Sequence, residues 1–60
     1  MTPVVADLLG RADLHLNEAR RLLGDGYERL AAREAYQAMF HAAQATLAAT
    51  ESKVPKTHRA

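Results

Sequence analysis

Three histidines, His15, His41 and His58, are the residues of this sequence best suited to proton transfer or metal binding. A helical zinc site needs two histidines four residues apart, and a carboxylate-bridged di-iron bundle needs Glu-x-x-His pairs. The histidines are too far apart for the first pattern, and none of the four glutamates is followed three residues later by a histidine. We therefore expect no metal site and no bound cofactor.

Residues for covalent or phosphate chemistry are equally scarce. There is no cysteine, which removes disulfides and thiolate sites and favours a reducing cytoplasmic setting. The single serine, Ser52, has no evident positioned base. Gly24 and Gly26 lie between two predicted helices rather than after a strand, so they do not form a phosphate-binding loop. We expect no catalytic residue; His41 and His58 are the only candidates for a polar site, and we interpret His41 as a partly buried histidine at an interface.

The positioning element for His15 is a first helix, predicted over about residues 3–23. Thr2 suits the N-cap and Pro3 the first helical position, where its missing amide hydrogen leaves no partner unsatisfied. The apolar residues that follow are spaced alternately by four and three positions, which is typical of one continuous stripe along a helix. This stripe consists of Val5, Leu9, Ala12, Leu16, Ala19 and Leu23.

A second helix, predicted over about residues 27–50, positions His41. Gly24 is expected to take the left-handed conformation that ends the first helix, and Asp25 with Glu28 fits a capping box for the second. A turn this short makes the helices antiparallel neighbours. Residues 1–50 are thus predicted to form a helical hairpin and residues 51–60 a loop or flexible tail, because Pro55 disfavours helix before it.

The second helix carries two apolar strips on different sides. One strip is made of alanines at alternate spacings of four and three, which suits close approach to the leucine stripe of the first helix: Ala31, Ala35, Ala38, Ala42, Ala45 and Ala49. The other strip would then remain uncovered, and we predict that it is an interface: Tyr36, Met39, Phe40, Ala43 and Leu47. The fold class expected is all-α, an antiparallel hairpin that is half of a four-helix, up-and-down bundle.

Length and charge both bear on the partners. A chain of 60 residues without disulfides or a structural metal ion is marginally stable alone, which favours a homo-oligomer, most simply a dimer. The net charge is only +1 and the sequence has no strong basic patch, so the charge pattern does not indicate RNA binding. No segment has the length of a membrane span or the pattern of a targeting signal, and we expect a cytoplasmic protein with no membrane contact.

Residues 35–45 read Ala-Tyr-Gln-Ala-Met-Phe-His-Ala-Ala-Gln-Ala, and residues 55–59 read Pro-Lys-Thr-His-Arg. Together with residues 19–27 these segments resemble the amino-terminal half of HEPN proteins of bacteria and archaea, which carry an Ala-Tyr-Tyr-Ala-Met-Phe-His-Ala-Ala signature on their second helix. The resemblance covers nearly the whole chain. It implies a role in a toxin–antitoxin type system linked to RNA targeting, dimerisation, and a minimal nucleotidyltransferase as a partner.

Two departures from the family pattern limit what the resemblance implies. Gln37 stands where the second tyrosine is usual, and the chain ends where family members continue into further helices. In the ribonuclease members those helices bear an Arg-x(4–6)-His motif, whereas here Arg11 and His15 are separated by three residues and Arg33 and His41 by seven. The implied reading is a truncated or partial member that is non-catalytic as given. The alternative is an unrelated small helical dimerisation, adaptor or antitoxin-like module.

Overall fold

Two antiparallel α-helices make up the part of the protein that the computed structural model describes, residues 1–53. Helix α1 spans Pro3–Gly24 and helix α2 spans Glu28–Lys53, and the two pack against each other along their length. No strand occurs in these residues. The all-α hairpin is therefore confirmed. Its Cα atoms extend 52 × 20 × 9 Å, so the hairpin is a slab one helix thick.

Helix α1 begins as its sequence predicts. The side-chain oxygen of Thr2 accepts a hydrogen bond of 3.1 Å from the backbone amide of Val5. Pro3 occupies the first turn, where its fixed φ matches the helix. Replacing such a cap with alanine typically costs about 1 kcal/mol.

In the turn between the helices, the left-handed residue is Gly26 and not Gly24 as predicted. Gly24 is the last residue of α1, and Gly26 has the positive φ of 86°. The amide of Gly26 donates to the Leu23 carbonyl at 3.1 Å and the amide of Tyr27 donates to the Leu22 carbonyl at 2.9 Å. This pair of bonds is a Schellman motif, which requires the left-handed residue two positions after the last helical one.

The role of Asp25 and the C-terminal end of α2 also differ from the prediction. The carboxylate of Asp25 lies 3.6 Å from the Arg21 guanidinium, and α2 begins at Glu28, so Asp25 serves the end of α1 rather than a capping box. Helix α2 continues to Lys53, three residues beyond the predicted end at Thr50. A proline restricts only the residue directly before it, which here is residue 54. The predicted tail at residues 54–60 lies outside the described residues.

The seam between the helices is built from small side chains. Three alanines of the α2 strip, Ala31, Ala38 and Ala45, are between 2% and 9% exposed, and the other three are half-buried. Val5 and Ala19 of α1 are also buried. The predicted leucine stripe is only partly at this seam. Leu9 and Leu16 are each 41% exposed and Leu23 is 61% exposed. Alanines allow the backbones to approach closely, and the leucines then lie beside the contact rather than within it.

Candidate functional site

One polar contact crosses the seam between the helices. Nδ1 of His15 on α1 lies 2.6 Å from Oε1 of Glu34 on α2, and the two side chains are 33% and 31% exposed. It is the only side-chain hydrogen bond that joins α1 to α2 in the described residues. With the proton on Nδ1, the imidazole donates to the carboxylate, which leaves Nε2 as the free ring nitrogen.

His41 joins this contact through its ring. The imidazoles of His15 and His41 are stacked, with centroids 5.3 Å apart and planes inclined by 10°. Nδ1 of His41 lies 3.2 Å from Oε1 of Gln44, and the ring of Phe40 meets the imidazole edge-on at 5.9 Å. His41 is half-buried at the edge of the seam. The other predicted polar residue, His58, lies outside the described residues.

The seam cluster, defined as His15, Glu34 and His41, can hold the helices together, but it lacks the parts of a metal centre. No group of three histidine, cysteine or acidic side chains within residues 1–53 is arranged to hold a metal ion. The Nδ1 atoms of both imidazoles already face side-chain oxygens. The arrangement therefore supports a positioning role between the helices more directly than ligand binding.

His15 and Glu34 were not singled out as partners from the sequence, although a signal for them exists. In an antiparallel hairpin, residues that face each other have position numbers with a constant sum. The buried pairs Ala19 with Ala31 and Val5 with Ala45 share such a sum, and the same sum brings His15 within one position of Glu34. Folding the sequence about its turn would therefore have brought His15 and Glu34 together.

The predicted interface residues form an exposed ridge on α2. We call this set the α2 ridge; its members are Tyr36, Met39, Phe40, Ala43 and Leu47. The four large side chains are 48–66% exposed, and Ala43 is exposed as well. The rings of Tyr36 and Phe40 stack with centroids 6.3 Å apart. Helix α1 leaves this ridge uncovered.

A second apolar surface lies between the helices on one side of the slab, and sequence reasoning missed it because the leucines were assigned to the seam. We call it the leucine–alanine groove; it is lined by Leu9, Leu16, Leu23, Ala35, Met39 and Ala42. Asp13 and Arg20 lie at its edge. Met39 belongs to both the groove and the α2 ridge, so the two apolar surfaces are continuous.

The family model of the HEPN domain matches residues 5–60. The chain belongs to the HEPN family. This match confirms the resemblance carried by residues 35–45 and decides against the alternative of an unrelated helix pair. No curated protein and no solved structure matches this HEPN chain.

Two ion pairs lie on the exposed surface of α1 in this HEPN chain. Asp7 pairs with Arg11 at 3.0 Å, and Oε1 of Glu18 accepts from Nε of Arg21 at 3.1 Å. The hydrogen bond from Arg21 lowers the pKa of the Glu18 carboxyl, and the same bond raises the pKa of Arg21. These pairs are exposed and lie apart from the ridge. They contribute little to stability, as is usual for surface ion pairs.

Neither α1 nor the described part of α2 combines the length and the hydropathy that crossing a bilayer demands.

Proposed function

We propose that this HEPN chain is a helical association module, without a catalytic site of its own, in a toxin–antitoxin type system linked to RNA targeting. Its immediate act is to join a second copy of itself through the α2 ridge and form a four-helix bundle. A minimal nucleotidyltransferase is the proposed further partner. The observation that carries the proposal is the α2 ridge itself, whose large side chains are 48–66% exposed.

The small size of the hairpin core supports association. Every buried hydrophobic residue in the described part is an alanine or a valine, and no large side chain is fully buried. Burying Phe40 and Leu47 in an interface would contribute roughly 1.5–3 kcal/mol each. A gain of this size matters for a chain of 60 residues, which has few other sources of stability.

The proposed lack of catalysis is supported by the contacts of the histidines and arginines. The Arg11 guanidinium pairs with Asp7, and His15 faces Glu34, so the two side chains engage different partners. Arg33 and His41 on α2 have seven residues between them, a spacing that does not match the Arg-x(4–6)-His motif of the ribonuclease members. The nucleotidyltransferase partner is supported by family membership alone.

Phe40→Glu tests self-association through the ridge. The change places a carboxylate in the proposed interface, where burial without a partner costs several kcal/mol, and sedimentation should show the dimer lost. Leu14→Glu is the matched control, because Leu14 is 70% exposed on the side of α1 away from the seam. That variant should sediment like the parent chain, with equal helicity by circular dichroism. Equal loss of dimer in both variants, or in neither, would count against the ridge.

The nucleotidyltransferase partner needs a separate measurement. A minimal nucleotidyltransferase encoded beside this chain, purified and titrated into it, should release or absorb heat with a defined stoichiometry. The absence of binding at micromolar concentrations of both proteins would remove this partner and leave the self-association proposal standing.

A further inference from the structure

The leucine–alanine groove has a symmetric pattern along α1. Leu9, Leu16 and Leu23 are spaced by seven residues, with Leu16 at the centre, and they are 41–61% exposed. Asp13 and Arg20 lie along the edge of the same groove, and the midpoint between them falls beside Leu16. The apolar row and the opposite charges therefore share one centre.

The two charges at the groove edge have no partner within their own helix. Asp13 and Arg20 are seven residues apart, which separates them by about 10.5 Å along α1. Neither forms an ion pair with another residue of the described chain, whereas the acidic residues Asp7 and Glu18 pair with arginines three or four residues away. A pairing between Asp13 and Arg20 would therefore have to join two molecules.

A two-fold axis through the groove beside Leu16 would bring the leucine rows of two copies together and would also pair their opposite charges. In an interface of this kind, if one residue contacts a second, the second contacts the first in the other copy. With two α1 helices antiparallel about this axis, Leu9 meets Leu23 of the other copy. Asp13 then meets Arg20 of the other copy, and this ion pair occurs twice.

We propose that the second copy docks on the leucine–alanine groove in this orientation, with the two α1 helices antiparallel about Leu16 and two Asp13–Arg20 ion pairs between copies. The inference rests on the proposed self-association and defines its geometry. The groove forms the centre of the interface, and the α2 ridge, continuous with it through Met39, forms the outer part.

The shape of the hairpin agrees with this arrangement. The described residues form a slab 9 Å thick, and domains bury an apolar face between two layers. A specific dimer of standard size buries about 800 Å² on each copy. The ridge alone belongs to one helix, and the groove adds α1 to the contact, so the proposed interface draws on both helices. The roughly 800 Å² of a standard dimer is about one sixth of the 4922 Å² surface of the chain.

Charge reversal in two separate proteins tests the orientation. Asp13→Arg places two arginines together at both contacts of its own dimer, and Arg20→Asp places two aspartates together. Each variant alone should dissociate about tenfold more readily than the parent chain. An equimolar mixture should regain parent-like affinity, because a dimer of one copy of each variant restores both opposite-charge contacts. The differences should shrink in 1 M salt, where the Debye length is about 3 Å.

A single introduced cysteine tests the axis independently, since the chain has no cysteine of its own. Leu16→Cys should form a disulfide-linked dimer under mild oxidation, because residues at the axis bring their Cα atoms within the roughly 7 Å that a disulfide needs. Leu14→Cys, on the far side of α1, is the control and should stay unlinked at the same protein concentration.

The outcomes separate this inference from the proposed function. A parent chain that dimerises, with no recovery in the mixed variants and no preferential linkage at Leu16→Cys, overturns the orientation and leaves self-association intact. Recovery of dimer affinity in the mixture, together with disulfide linkage of Leu16→Cys, supports the two-fold arrangement. A monomeric parent chain overturns both proposals. Circular dichroism of each variant identifies any loss of association that comes from unfolding.

Discussion

Nδ1 of His15 and Oε1 of Glu34 approach to 2.6 Å across a seam that is otherwise lined largely by alanine and valine. The contact joins residues 19 positions apart in sequence, and it is the only side-chain hydrogen bond between α1 and α2 in the described residues. Apolar packing of small side chains tolerates sliding of one helix along another, since alanines offer no distinctive shape. A directional contact at one position therefore favours one register of the hairpin.

The first prediction is that His15 and Glu34 are energetically coupled. A double-mutant cycle with His15→Ala and Glu34→Ala should give a coupling free energy of about 1 kcal/mol, because both side chains are about two-thirds covered and one is charged. Urea unfolding at constant protein concentration measures it. The same cycle on Asp7 and Arg11, an exposed pair one turn apart, should give only about 0.3 kcal/mol. Equal coupling in the two cycles would show that the seam contact has no special role.

The second prediction compares two glycines in different conformations, one in the turn and one inside α1. Gly26→Ala should lower the free energy of unfolding by about 1–2 kcal/mol, because Gly26 has a φ of 86° that a Cβ atom disfavours. Gly10→Ala, inside α1, should raise it by about 0.5–1 kcal/mol, because the added methyl meets nothing within 4 Å beyond its chain neighbours and the adjacent backbone of its own helix. Thermal unfolding of both variants measures this. Destabilisation by Gly10→Ala would mean that this part of α1 is covered in solution.

How much of this structure could be predicted depends on which interactions decide each feature. The helices and the buried alanine strip follow from spacing and from local signals such as Thr2 and Pro3, which act within a few residues. The positions of Leu9 and Leu16 do not follow in the same way. Periodicity defines a face about 100° wide, and the distance between the two backbones decides which side chains within that face are covered.

The turn and the seam cluster show two other limits. Gly24 and Gly26 both suit a left-handed position, and the choice between them depends on where α1 makes its last hydrogen bonds. His15 and Glu34 each look unremarkable on their own helix, and their contact appears only when the register of the hairpin is known. The α2 ridge could be recognised from spacing alone, whereas its partner remains a prediction.

The third prediction concerns the stability of the chain at low pH. Hydrogen bonding to Arg21 lowers the pKa of Glu18 in the folded chain, so its contribution to stability is present above the unfolded pKa of about 4.3 and is lost as pH falls through the lower folded value. Glu18→Gln should therefore be less stable than the parent at pH 7, and the difference should vanish in strong acid. The effect is small because the carboxylate is exposed. Thermal unfolding between pH 7 and pH 2 measures it, and a difference independent of pH would contradict this cause.

The fourth prediction is that the purified chain does not cleave RNA, since no arginine and histidine stand at the spacing of the ribonuclease members. A structured RNA incubated with the chain and resolved on a denaturing gel should remain intact. His41→Ala is the informative variant if any cleavage is seen. Cleavage that disappears in His41→Ala would show that His41 is catalytic and that the proposal of a non-catalytic module is wrong.

Self-association is the central claim, and sedimentation equilibrium of the parent chain across a range of concentrations tests it most directly. We predict a species of twice 6.6 kDa at micromolar concentration, with a melting temperature that rises with protein concentration because dissociation accompanies unfolding. Circular dichroism on the same samples reports the helices. A 6.6 kDa monomer at every protein concentration up to about 100 μM, with a melting temperature that does not change with concentration, would contradict the claim.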